Sequence, residues 1–100
     1  MAQRILDGEG AWAWDPEQVD WQANEVELHD AGELLRLDRL VRRRDTGEWW
    51  VLDYKSAAAP ERQPQLREQM RRYRDAVAAA QGGAPVRSAF LTAQGRLVPA

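Results

Sequence analysis

The chain predicts a mixed α/β domain: an antiparallel β-meander, then a βαβ unit, then a final short strand. Three observations carry this. Residues 34–43 (LLRLDRLVRR) and 48–55 (EWWVLDYK) are rich in apolar and aromatic side chains and flank the turn sequence Arg44-Asp45-Thr46-Gly47, as in a hairpin. Leu66, Met70, Tyr73, Val77 and Ala80 recur at steps of four and three, which is the apolar stripe of one helix. Residues 85–92 (PVRSAFLT) form a further strand, and a right-handed crossover through the helix sets it parallel to 48–55.

Taken in order, residues 1–23 form an aromatic-rich lead-in with one short strand expected near 11–14. Trp12 and Trp14 serve there as large apolar covers for a small core; stacking on nucleobases is the functional alternative. Residues 24–28 (NEVEL) alternate and form a first strand that pairs with 34–43, leaving His29 in an exposed turn. In 48–55 the run Trp49-Trp50-Val51-Leu52 is apolar on both faces, as a central covered strand requires. Residues 57–60 (AAAP) are a linker. Pro64 suits the first turn of a helix that ends near Ala80 ahead of Gly82-Gly83. A last short strand is expected over 96–98.

Composition bounds the function. One hundred residues with 44% apolar and 30% charged side chains suit one globular domain, 1–100. A net charge of −2 offers nucleic acid no global attraction, so any such binding must come from local arginines, for example Arg62, Arg67, Arg71, Arg72 and Arg74 along the helix. With no cysteine and His29 as the only histidine, thiolate and multi-histidine zinc sites are excluded. No apolar run is long enough to span a membrane and no signal-peptide pattern opens the chain, so a cytoplasmic protein without a membrane partner is expected.

The candidate site follows from strand register. A four-residue loop sets Arg43 opposite Glu48 and therefore Asp38 opposite Asp53, with Cβ atoms about 4.5–5.5 Å apart. Lys55, the only lysine in the chain, lies two residues on and shares their face. A three-residue loop would instead turn the two carboxylates to opposite faces unless a bulge restored the phase. Two close carboxylates repel, so the arrangement calls for a divalent cation or for Lys55 leaning in, and oxygen-only ligands favour Mg²⁺ or Mn²⁺ over zinc. D-x-K alone is better explained as a local ion pair on a strand end. Glu25 or Glu27 would supply a third acid, although a solvated strand face is the simpler place for both.

LLRLDRLV, WWVLDYKS and QMRRY together resemble the PD-(D/E)XK nuclease domain at the C-terminus of RecB- and AddA-type helicase-nucleases of the UvrD-like superfamily. There an aspartate on one strand precedes a D-Y-K-T/S stretch on the next, and a Q-x-x-x-Y pair follows on a helix. The resemblance implies a restriction-endonuclease-like core over 24–98 and metal-dependent hydrolysis of DNA, with Asp38, Asp53 and Lys55 catalytic. It implies Mg²⁺ (or Mn²⁺) on Asp38, Asp53 and the Tyr54 carbonyl, and DNA contacts from Gln69, Tyr73 and Arg72. It further implies an exonuclease role in DNA end processing and recombinational repair, near the bacterial nucleoid, with helicase domains as partners and this chain as the terminal piece of a longer protein. Two features depart from the family: Leu35 stands where it usually has glycine, three residues before the first aspartate, and no upstream histidine ligand is present. The alternative is a catalytically silent DNA- or protein-binding module on the same fold.

Overall fold

The structure, a computed structural model, describes residues 8–56 and 59–100. Five strands, β1 (Val19–Asp30), β2 (Glu33–Arg43), β3 (Trp49–Lys55), β4 (Val86–Thr92) and β5 (Leu97–Pro99), form one sheet in sequential order. Helix α1 (Pro64–Ala80) connects β3 to β4. β3 and β4 are parallel and all other neighbours antiparallel, which is the meander, βαβ unit and final strand that the sequence implies.

The β2–β3 register is the one that the four-residue loop requires. Arg42 pairs with Trp49 and Arg39 with Leu52. The Arg43 N–H donates to the Glu48 carbonyl at 2.9 Å, and the Gly47 N–H, from a residue at φ 72°, donates back to the Arg43 carbonyl. Continued by one step, the same count sets Asp38 against Asp53.

The helix packs its stripe on one face of the sheet. Met70, Tyr73 and Val77 are buried there with Leu37, Leu40, Val51 and Phe90. Ala80, expected in the stripe, is exposed, and Ala76 takes its place because the stripe drifts around the helix as it meets the twisted sheet. The opposite face carries a second cluster, Val41, Trp50, Leu52, Ala89 and Leu91.

That second face is covered by the lead-in, which differs from expectation. Residues Ala11–Trp14 form a 3₁₀ turn rather than a strand. The Ala13 N–H donates to the Gly10 carbonyl, and a Cβ on Gly10 would stand only 2.5 Å from Leu91 Cδ2. The chain is thus pressed onto β4 by a residue without a side chain, and it curls there instead of extending. Trp12 and Trp14 lie over this cluster as covers.

β1 is also longer than residues 24–28, because it pairs with β2 from Val19 to Asp30. His29 consequently lies in the strand, exposed, and the two-residue turn is Ala31-Gly32, both at positive φ. The last strand is shifted by one residue, to Leu97–Pro99. The expected linker partly lies outside the described residues; after it, Pro60–Arg62 make a short 3₁₀ turn.

Candidate active site

Asp53 and Lys55 stand at the C-terminal end of β3, where the apolar run stops and the strand is still covered. Asp53 is only 6% exposed, while Asp38 and Lys55 are half-buried. The Lys55 ammonium nitrogen is 3.0 Å from Asp53 Oδ2. That oxygen nevertheless has no partner aligned for a hydrogen bond among the described residues, so the contact is read as an electrostatic one and a lone pair of Asp53 is left free. Asp38 Oδ2 accepts a hydrogen bond from the Tyr54 backbone N–H at 2.9 Å, which fixes the second carboxylate against β3. The structure therefore brings together the three residues that strand counting placed on one face.

Burial, reinforced by the Asp38 carboxylate alongside, pushes the Asp53 carboxyl up to about 7, against the opposing pull of Lys55. The Tyr73 hydroxyl is likewise raised, first by burial and then by the negative charges of Asp53 and Asp38, so α1 brings Tyr73 within electrostatic range of the same group. Gln69, one turn earlier, is exposed. Both residues line an open cleft of about 620 Å³ between α1 and the β1–β2 tip. Asp38, Asp53 and Lys55 lie outside the wall of this cleft, which adjoins them through Tyr73. Arg72 is turned to the hairpin tip, with Nη1 2.8 Å from Glu33 Oε2 and Nε 3.4 Å from Asp30 Oδ2.

The donor set suits a hard divalent cation. It is all oxygen, one buried carboxylate oxygen has no aligned hydrogen-bond partner among the described residues, and burial together with the neighbouring Asp38 raises Asp53 even with Lys55 beside it. Among the described residues no three acids or histidines cluster tightly enough to cage an ion. A two-carboxylate site of this kind suits a divalent ion that retains several of its waters. Glu25 and Glu27 do not complete it: both are exposed, and Glu27 pairs with Arg36 at 3.0 Å.

The family model described as the PD-(D/E)XK nuclease superfamily matches residues 1–98. The chain belongs to the PD-(D/E)XK nuclease superfamily. Asp53-Tyr54-Lys55 reads D-x-K, and Asp38 precedes it on β2. Membership implies nuclease-type hydrolysis of phosphodiester bonds and a DNA substrate, and nucleases of this superfamily generally use divalent metals. No curated protein matches the chain. No helix among the described residues is long and apolar enough to cross a membrane. Leu35, at the position where the resemblance has glycine, is buried under the helix as core.

One contributor to this site is invisible to strand counting: the Tyr54 N–H, a backbone group with no sequence signature. Arg39, next to Asp38 in the chain, is only 2% exposed and turned to the opposite face under Trp14, whereas by alternation it reads as an ordinary polar position of a strand.

Proposed function

We propose that the chain is a Mg²⁺- or Mn²⁺-dependent DNA exonuclease domain of the RecB/AddA type, working with a helicase motor in DNA end processing and recombinational repair. The observation that carries this reading is the grouping of Asp38 on β2 with Asp53 and Lys55 at the end of β3, with Tyr73 of the Q-x-x-x-Y pair within their electrostatic reach. Asp38, Asp53 and the Tyr54 carbonyl would hold the ion, which when bound neutralises the carboxylates and polarises the scissile phosphate. Lys55 orients the attacking water and stabilises the negative charge that develops on the phosphate as the leaving oxygen departs.

Gln69 and Tyr73 position the strand on the cleft side of the site. Arg72 contacts a phosphate there once that phosphate displaces Asp30 and Glu33. The displacement is cheap, because partly exposed ion pairs contribute about 0–1 kcal/mol.

Incubation of the chain with linear and covalently closed circular DNA tests this reading. Release of nucleotides from linear DNA alone is expected with Mg²⁺ or Mn²⁺, and none with a chelator or with Asp53→Ala. Metal-dependent cutting that survives Asp53→Ala would remove the assigned site, and salt-sensitive DNA binding without cleavage would favour the silent binding module.

A further inference from the structure

Beyond the register shift between Val19 and Trp21, the β1–β2 ladder is interrupted at one further place without a change of register. Asn24 pairs with Arg39 and Val26 with Leu37, but Glu25, at φ 52°, and Asp38 are skipped. β2 changes face there: Leu37 and Leu40 both lie in the helix-side cluster, although they are three residues apart, while Arg39 between them turns to the other face. The irregularity lets Asp38 stay in phase with Leu40 and with Asp53 across β3, where its carboxylate meets the Tyr54 N–H, although counting from Leu37 would turn it to the other face.

Arg39 secures this point from behind. Its Nη1 donates to Asn24 Oδ1 at 2.7 Å, and its Nη2 donates to the Ala13 carbonyl at 2.7 Å and to Gln22 Oε1 at 2.5 Å. The guanidinium lies 4.5 Å from the centre of the Trp14 ring. No carboxylate pairs with it among the described residues, and its buried Nε has no partner. A buried guanidinium held only by neutral acceptors is an expensive way to fill a core position that an apolar side chain would fill.

We infer that Arg39 is a positioning residue for the metal site: by tying Asn24, Gln22 and the 3₁₀ turn together behind the sheet, it holds the face switch that aims Asp38. This rests on the proposed role of Asp38 and Asp53 as ligands. Groups that hydrogen-bond a metal ligand directly alter affinity by about 10–100-fold when removed; Arg39 acts one step behind the ligand, so the lower end of that range applies, whereas a clamp of purely structural importance alters stability and leaves the affinity of the folded chain unchanged.

Calorimetric titration with Mn²⁺, alongside thermal unfolding of the metal-free protein, separates the two. Arg39→Met is expected to weaken Mn²⁺ binding about tenfold. Asn24→Ala, at an exposed position that leaves the core intact, is expected to weaken it severalfold with little change in melting temperature, and it decides the matter if Arg39→Met does not fold. Wild-type affinity in the folded variants would overturn the inference, whatever their melting temperatures. Absence of Mn²⁺ binding in the unsubstituted chain would remove the ligand assignment itself, and this inference with it.

Discussion

Replacement of Lys55 by methionine is expected to lower the turnover of DNA cleavage by about 10²–10³-fold, the usual effect of deleting a donor aimed at developing charge. Methionine preserves the apolar stem and approximate length of the side chain, so the half-buried position remains filled. The ammonium is the only lysine charge in the chain, and it stands 3.0 Å from Asp53. The effect should fall on kcat, with KM and Mn²⁺ affinity unchanged or improved, because Lys55 competes with a cation for Asp53. Lys55→Arg should not restore the rate, since a planar fork cannot take the place of a compact ammonium. Steady-state cleavage of linear DNA by the three forms checks this. Full activity of Lys55→Met would end the catalytic assignment of Lys55.

Asp53→Asn is expected to make the metal-free fold more stable at pH 8 than the unsubstituted chain, by on the order of a few kcal/mol. The sign follows from the raised Asp53 carboxyl, at about 7 in the fold. The folded chain holds this proton more tightly than the unfolded chain does, so unfolding releases it. The contribution of Asp53 is most favourable below its unfolded value, near 4, and is lost progressively as pH rises to about 7. Other carboxylates, such as Asp20, are lowered by an arginine partner and have the opposite dependence, so the informative quantity is the difference between the two proteins. Urea unfolding with a chelator from pH 4 to pH 8 should show a gap that opens with pH. Mg²⁺ or Mn²⁺ at pH 8 should close it by stabilising only the unsubstituted chain. Parallel curves over the whole range would mean that Asp53 carries no trapped charge.

Both expectations express one feature: a buried carboxylate pair that Lys55 compensates only in part, so that its remaining charge destabilises the fold until a cation arrives. Much of that feature is legible in the sequence, because a hairpin transmits register. The four-residue turn ending in Gly47 sets Arg43 against Glu48, and the count then carries Asp38 opposite Asp53. The helix is equally legible, with Pro64 at its start and a stripe of apolar residues along it.

The regions that misled are those where tertiary contact overrides local pattern. Ala11–Trp14 reads AWAW, an alternation that suggests a strand, yet its fate is decided by Gly10 pressing on Leu91, some eighty positions away in the chain. β1 extends well beyond its short alternating stretch because an edge strand exposes most of its side chains on either face, so polar residues such as Asp20, Gln22 and Asn24 conceal it. Arg39 is hidden for a related reason. Nothing in LLRLDRLV distinguishes an arginine that faces water from one folded under Trp14 and bound to Asn24.

Titration of the metal-free chain with Mn²⁺ by calorimetry, together with Asp38→Asn and Asp53→Asn, tests most directly whether these two strands present a cation site. Saturable binding by the unsubstituted chain is expected, abolished or weakened by orders of magnitude in either variant. Absence of binding, or binding that neither substitution affects, would contradict the account.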